Sequence, residues 1–586
     1  MGTLPRMTAP QTMTQEQAHA TLTAPGAPFE VVEEDVLGNR MKVYKQRFTS
    51  LREVAAFAQT RGDGDTFLVY GDRRWSTGAF LREANSVGQA LAEQCGVGHG
   101  DRVAVLSANN PQWCLAFWGT VDLGAILVGL NGWWKADEIL YGLQDSGSRV
   151  LVADRGRIMR IAGQLEALPD LEHVFLIDCA PADVGLDGDP RVRAFDELLG
   201  RPHDELPDTP INEDDPAVIF YTSGTTGRPK GAISTHRSML ANLQNTLYYG
   251  MSSALRMGVN PLSADGSEQR SALLTSPLFH VSGCHSGLVV GLLIGIKLVI
   301  PVGKFEPEKA MQLIQDEKIT TWSSVPTMVW RVVEHPDRHH YDLSSIQSVA
   351  YGGSPTAVEM QRRVRETFPN VSSLGNAYGL TESSSVATVN SGEDIDLRPE
   401  SVGRPMPVVD IKIVDPDEKE VPTGETGEVW IRGPIIMPGY WNRPDATAET
   451  LTPDGWLRTG DLGHVDDDGF LYITDRAKDM IIRGGENVYC VEIENRLVEH
   501  PAIADAAVIG VPHQTLGEEV KAVIEVADGE ELTIDEVQRW VAETLADFKV
   551  PAYVDLRRDK LPRNASGKLL KNVLRGEGEV SFAETM

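Results

Sequence analysis

Residues 221–232 read Tyr221-Thr-Ser-Gly-Thr-Thr-Gly-Arg-Pro-Lys230-Gly-Ala232, and the fold turns on how that run is read. Gly224 and Gly227 let the backbone double back and come close to a ligand. Thr222, Ser223, Thr225 and Thr226 bring hydroxyls, and the amides between them bring N–H groups, all able to donate to anionic oxygens. Pro229 stiffens the exit and Lys230 adds a cation. Ahead of the run, Val218-Ile-Phe-Tyr221 reads as a buried strand; after it, Met239, Leu240, Leu243 and Leu247 recur at helical spacing. A strand, a hydroxyl-rich glycine loop and a helix suit a polyphosphate. The GxxxxGK[ST] spacing of a different phosphate loop fails, because the lysine follows Pro229. Clusters of Gly, Ser and Thr are more often plain surface turns, so this run needs support from the rest of the chain.

The 586 residues, 41% of them hydrophobic, exceed what one core organises, so two or more domains are expected. Five scattered cysteines (Cys95, Cys114, Cys179, Cys284, Cys490) form no CxxC pair, which predicts reduced thiols in a cytoplasmic setting. A formal net charge of −30 argues against nucleic acid as a partner, and it requires positive charge to be concentrated locally if an anion is held. Residues 1–28, rich in Thr, Ala, Pro and Gln and lacking an apolar leader, read as a disordered arm. The most apolar run, 287–302, is broken by Lys297 and several glycines, so a soluble protein without an integral membrane segment is expected.

Residues 50 to 215 alternate short apolar runs with helical patterns, which is α/β layering, and a second α/β unit is expected from 221 to about 390. Within it, 305–320 reads as an amphipathic helix, and 322–328 and 348–352 as strands whose carboxyl ends suit a ligand. Trp133 and Trp134 read as core or a subunit contact, which keeps a homodimer as an open alternative. Between 400 and 472 the pattern becomes strict alternation, as at Val409, Ile411 and Ile413, and predicts a small antiparallel barrel-like unit. Beyond 478 a compact α+β stretch follows, with strands at 506–511 and 520–526 and a capping box at Thr533 and Glu536.

Seven strings now stand in one order: the glycine loop; Pro277-Leu-Phe-His280; Tyr351-Gly-Gly-Ser354-Pro355; Asn376-Ala-Tyr-Gly-Leu-Thr-Glu382; Gly455-Trp-Leu-Arg-Thr-Gly-Asp461; Asp475-Arg-Ala-Lys-Asp479; and Pro562-Arg-Asn-Ala-Ser-Gly-Lys568. Each alone is weak. Together, over roughly residues 50 to 570, they resemble the AMP-forming adenylating superfamily of acyl-CoA synthetases, peptide-synthetase adenylation domains and luciferases. The resemblance implies an N-terminal AMP-binding domain (29–474) of two α/β subdomains plus a small β-barrel, a hinge over 475–478 about Lys478, and a smaller mobile α+β C-terminal domain (479–586).

Residue by residue, the resemblance gives Glu382 and Thr222 to Mg²⁺, and Thr381 to the α-phosphate of ATP. Gly353, Ser354 and Pro355 become the wall of the adenine pocket, with Asn376, Ala377, Tyr378 and Gly379 alongside and Tyr378 over the ring. Asp461 takes the ribose hydroxyls and Arg476 adds a ribose or phosphate contact; Asn487 is assigned to the same nucleotide site. Lys568 matches the adenylation lysine, a compact charge that bridges a carboxylate and a phosphate. Gly484 and Gly485 match the loop that lines the coenzyme A tunnel, with Cys490 standing where proline is usual. Phe279, His280, Val281, Cys284, Val325, Tyr351 and Gly352 are the expected acyl pocket, with His280 as a gate. That wall carries no acid to hold an ammonium, which disfavours amino acids. The implied activity is an ATP-dependent acyl-CoA synthetase for a hydrophobic carboxylic acid, a medium- or long-chain fatty acid leading. Aryl or steroid side-chain acids, and loading of a carrier protein, are the alternatives.

Overall fold

The computed structural model describes residues 12–200, 203, 205–206, 208–222, 228–259, 269–352, 358–483, 486–563 and 568–576. The expected disordered arm is ordered where it is described. Gln15–Thr23 is a helix opened by a capping box between Thr14 and Gln17. Ala18 and Leu22, one turn apart, are fully buried in a cluster with Tyr44 and Tyr248. Two apolar side chains on one face suffice to dock a short helix, and a Thr/Ala/Pro composition hides them.

Two mixed sheets carry the N-terminal domain. The first has seven strands, in the order Lys230–Thr235, Pro216–Thr222, Ile126–Gly129, Arg102–Leu106, Val150–Asp154, His173–Ile177 and Val192–Ala194. All neighbours are parallel except the first pair. The second has nine strands; its parallel centre runs Ser373–Tyr378, Ser348–Gly352, Thr321–Ser324, Ser271–Leu273, Lys297–Ile300 and Thr66–Tyr70. The units therefore do not divide at residue 221. Thr66–Tyr70 and Arg73–Ser76 cross into the second sheet, while the strands flanking the glycine loop belong to the first. One continuous core, including Phe67 and Leu298 from one sheet, Val103 and Phe220 from the other and Trp113 and Phe117 from the helix Pro111–Val121, welds them together.

The glycine loop also has an unexpected frame. Lys230–Thr235 is a strand, antiparallel to Pro216–Thr222 with Thr222 opposite Lys230, and only then does the helix His236–Arg256 begin. The two flanking strands pair as a hairpin on either side of residues 223–227, which lie outside the described residues. Gly231 lets the pair pack closely, since a Cβ there would lie 2.8 Å from Ile219 Cγ2 and force that side chain to shift.

The expected small barrel is a four-stranded antiparallel sheet, Asp410–Val414, Gly427–Arg432, Leu457–Val465 and Leu471–Arg476, whose outer strands do not pair with each other among the described residues. Four strands are too few to close around a filled interior. The C-terminal domain packs Cys490–Val498 and Ile534–Ala542 against Ile503–His513 and Gly517–Val526, with Tyr553–Arg557 parallel to the latter. No helix among the described residues is long and apolar enough to cross a membrane.

Candidate active site

The described site is a cleft of about 1470 Å³ between the two domains. Asn376, Ala377, Tyr378 and Gly379 enter it from the carboxyl end of Ser373–Tyr378, and Asp461 and Arg476 from the four-stranded sheet. Lys568 enters from the opposite side. Asp461 and Arg476 are cross-strand partners, which sets Arg476 Nε 3.0 Å from Asp461 Oδ1. Tyr378 donates its hydroxyl to the other carboxylate oxygen at 2.7 Å. The Asp461 amide donates to Thr459 Oγ1, which donates in turn to Val429 O. This buried aspartate is thus fixed by backbone and side chain, with each carboxylate oxygen engaged by a neighbour at the cleft wall. Burial first, and the Asp461 charge second, push the Tyr378 phenol far above its ordinary range, so it stays a donor.

Lys568 feels the same pair. Burial pushes its ammonium down to about 7; Arg476 adds to the depression and Asp461 opposes it. Lys478 is lowered too, chiefly by burial, with Asp479 opposing and Arg476 reinforcing. Arg575 pairs with Asp479 at 3.1 Å. The charges of Arg476, Lys478 and Lys568 thus lie near one another, with Asp461 and Asp479 as their counter-charges.

Across the expected hinge, Asp475 Oδ1 accepts the Arg476 amide at 2.7 Å, and Oδ2 accepts the Cys490 amide at 2.5 Å. The Cys490 thiol, fully buried, donates to Asp479 O at 3.1 Å. Burial holds the Asp475 carboxyl up at about 6 and the Cys490 thiol well above its ordinary value, so Cys490 packs and ties and is a poor nucleophile.

Thr381 and Glu382 lie on a short 3-10 turn, Thr381–Ser383. The turn is forced into shape from behind. Ser384 and Ser385 both have positive φ, 51° and 111°, and a Cβ on Gly379 would stand 1.5 Å from Ser385 O. Ser384 Oγ donates to Ser238 Oγ at 2.8 Å, and His285 donates from Nδ1 to Ser384 O at 3.2 Å. Met437 N donates to Glu382 O at 2.9 Å, and Tyr440 Oη to Glu382 Oε1 at 2.8 Å. Among the described residues no cluster of three or more His, Cys, Asp or Glu could hold a metal alone. Glu382 and Thr222, neither of which lines the cleft, each offer a hard oxygen donor of the kind Mg²⁺ takes alongside phosphate and water.

Several expected residues stand apart. Ser223, Gly224, Thr225, Thr226 and Gly227, with Gly353, Ser354, Pro355, Gly484 and Gly485, lie outside the described residues. Thr222 Oγ1 donates to Lys230 O at 3.4 Å. Asn487 is exposed on the strand Glu486–Val488, facing Ile482 across the hairpin, and is not part of the cleft wall. Phe279, His280, Val281, Cys284, Val325, Tyr351 and Gly352 do not line the cleft either. Phe279 is buried with its ring 5.1 Å from both Trp133 and His280. Cys284 and Tyr351 are buried in two different core clusters, with Val325 in the same one as Tyr351. Burial alone pushes His280 down to about 4, so it is a neutral ring at pH 7 and a poor base. None of the seven strings contains Tyr440, for which the aromatic pair Tyr440-Trp441 after a glycine is the available signal; Asp475 opens the expected hinge, and its tie to the Cys490 amide carries no sequence signal.

Comparison with known proteins fits this geometry. Residues 54–441 match the model of the family described as AMP-binding enzyme, and 492–568 that of the AMP-binding enzyme C-terminal domain. A feruloyl-CoA synthase of an Amycolatopsis species is 34% identical over 82% of this chain and 89% of its own. A long-chain-fatty-acid–CoA ligase of Bacillus subtilis is 34% identical over 82% and 86%. The crystal structure of the anthranilate CoA ligase AuaEII with anthranoyl-AMP superposes with a TM-score of 0.81 at 27% identity, covering 91% of this chain and 97% of that one. Motifs, two-domain architecture and family models agree, and the chain belongs to the AMP-binding, adenylate-forming enzyme family.

Proposed function

We propose that this AMP-forming acid–CoA ligase activates a hydrophobic carboxylic acid, with a medium- or long-chain fatty acid as the leading candidate. The observation that carries the mechanism is the meeting of Lys568, from the C-terminal domain, with the Asp461–Arg476–Tyr378 group of the N-terminal domain. In the reading we propose, Asp461 accepts the two ribose hydroxyls of ATP, Tyr378 covers the base, and Arg476 adds a ribose or phosphate contact. The acid's carboxylate oxygen forms a bond to the α-phosphorus, and the bond from that phosphorus to the bridging oxygen breaks, so pyrophosphate departs with the electron pair. Lys568 neutralises charge between the two anions, and holding them aligned is most of the catalysis. Mg²⁺ held at Glu382 and Thr222 would supply further charge neutralisation on the phosphates.

For the second half-reaction, Lys478 is the pivot about which the C-terminal domain turns, withdrawing Lys568 and bringing in Gly484 and Gly485. The coenzyme A thiolate attacks the acyl carbonyl, the C–O bond to phosphate breaks, and AMP leaves. A neutral His280 and the Phe279–Trp133 pair support an apolar acid. The three clustered rings favour an aryl acid as the second reading. A pyrophosphate-release screen over C6–C18 fatty acids, aryl acids and amino acids, each with and without coenzyme A, tests the assignment. The expectation is release with a hydrophobic acid alone and thioester only when coenzyme A is present. Release with amino acids only, or with no acid, overturns it.

A further inference from the structure

We propose that Tyr440 is a positioning residue that ties the cation-binding carboxylate to the lysine of the phosphate hairpin, so that Glu382 and Lys230 are set as one unit. The inference rests on the reading of Glu382 given above. Tyr440 is buried, and its hydroxyl donates to Glu382 Oε1 at 2.8 Å. Its ring carries the other partner: Lys230 Nζ lies 5.1 Å from the ring centroid. One side chain therefore touches a carboxylate by its edge and an ammonium by its face; Lys230 opens an edge strand of the seven-stranded sheet, and Glu382 lies on the turn after Ser373–Tyr378 of the nine-stranded one.

The backbone around it shows why the contact is held rather than incidental. The segment 439–441 is stitched along the strand Lys230–Thr235: Trp441 N donates to Gly231 O at 2.7 Å, and Ile233 N donates to Gly439 O at 3.2 Å. Tyr440 stands opposite Ala232 in that ladder. Its own amide donates to Thr447 Oγ1 at 2.9 Å, and Thr447 Oγ1 donates to Arg443 O at 2.8 Å, which anchors the segment to the helix Pro444–Thr450. Three residues earlier, Met437 N binds the carbonyl of Glu382 itself. The loop after residue 433 thus grips the glutamate at both its backbone and its side chain while riding on the hairpin that carries Lys230.

The chemical consequence concerns the two oxygens of Glu382. With Oε1 engaged by the phenol, Oε2 has no partner among the described residues. A fixed carboxylate with one oxygen spare is suited to bind a small cation through that oxygen. A carboxylate free to spin presents either oxygen and loses more freedom when it binds. The phenol also leaves the ammonium on its face, where a bound phosphate can take it up.

The test begins with the unaltered protein, whose ATP–pyrophosphate exchange must respond to acid and Mg²⁺; if it does not, the functional reading has failed before this one is reached. Tyr440→Phe retains the ring and removes only the hydroxyl. Binding of Mn²⁺ with ATP, read by electron paramagnetic resonance without any turnover, is expected to weaken about tenfold, with a matching rise in the Mg²⁺ concentration giving half-maximal exchange. The KM for the acid is expected to stay within about twofold. In a Glu382→Gln background, Tyr440→Phe is expected to have no further effect on Mn²⁺ binding, because the two act through one contact. Wild-type Mn²⁺ affinity in Tyr440→Phe, or full additivity with Glu382→Gln, overturns the proposal. Should Tyr440→Phe fold poorly, Thr447→Val loosens the anchoring bond from outside the contact; unchanged Mn²⁺ binding in that variant overturns the proposal equally.

Discussion

At the scale of single residues the most informative group is Lys568, because one side chain joins both domains. Its ammonium is pushed down to about 7, first by burial and then by Arg476, against an ordinary value of 10.5. The direction fixes what pH should do. In the free enzyme the cation is present below about 7 and is lost above it, so kcat/KM for adenylation should fall roughly tenfold per pH unit above that value. ATP phosphates restore the charge when bound, so the same limb in kcat should lie higher. Stability moves the opposite way. The folded chain gives up this proton before the unfolded one does, so the group's penalty is full below about 7 and fades as pH rises toward 10.5. Lys568→Ala is expected to slow acyl-AMP formation by at least about 10²-fold and erase the kcat/KM limb, while thioester formation from supplied acyl-AMP survives. Stopped-flow and pyrophosphate-release measurements on the two half-reactions check this, and equal losses in both would refute the division of labour.

At the scale of elements the lesson lies in the turn that carries Thr381 and Glu382. Its shape is imposed by Gly379, whose missing Cβ admits Ser385 O, and by two serines held at positive φ. Gly379→Ala must push that backbone away, displacing the turn and the glutamate with it. The expected result is loss of adenylation by at least about 10²-fold with a lowered Tm, since a methyl at 1.5 Å cannot be absorbed by a side-chain rotation. Wild-type exchange in a folded Gly379→Ala protein would show that the turn does not set the site.

That same region marks how far the sequence could be read. The strands read at 348–352 and 506–511 and the helix after Thr533 were legible, since their residues carry a clear period; Tyr378, Asp461, Arg476 and Lys568 were singled out only by the resemblance of their motifs, because neither period nor charge sets them apart from other polar residues. The strand Lys230–Thr235 was not legible. Its Gly-Ala-Ile-Ser-Thr stretch alternates too weakly to show, and it becomes a strand because a hairpin partner supplies its hydrogen bonds. The exchange of strands between the sheets is also a tertiary fact, invisible to local periodicity. Residues 12–28 misled for a simpler reason, because composition registered the prolines and not the Ala18–Leu22 spacing.

At the scale of the whole molecule, the proposed pair of half-reactions calls for two arrangements of the domains, and the described arrangement, with Lys568 beside Asp461 and Arg476, would suit the first. The bond from the Cys490 amide to Asp475 Oδ2 spans the expected pivot: Asp475 precedes Lys478 and Cys490 follows it. The proposed rotation would have to break that bond or carry it along, and a reversible covalent version decides which. Asp475→Cys places a second sulfur opposite the native Cys490. The 2.5 Å hydrogen bond between the Asp475 side chain and the Cys490 amide makes the two residues close neighbours, as a disulfide requires, and the bridge needs the Cys490 thiol to turn away from Asp479 O. Burial raises the Cys490 thiol, so the bridge should form slowly and best at alkaline pH with an added oxidant. The oxidised protein is expected to keep ATP–pyrophosphate exchange within about threefold of the reduced variant. Its transfer of the acyl group to coenzyme A should fall at least about 10²-fold, and reductant should restore it. Asp475→Ser, which cannot bridge, controls for the lost carboxylate. If the bridged protein makes thioester as fast as the reduced one, the pivot lies elsewhere in the chain, because a covalent tie between residues 475 and 490 leaves no freedom for a turn about residue 478.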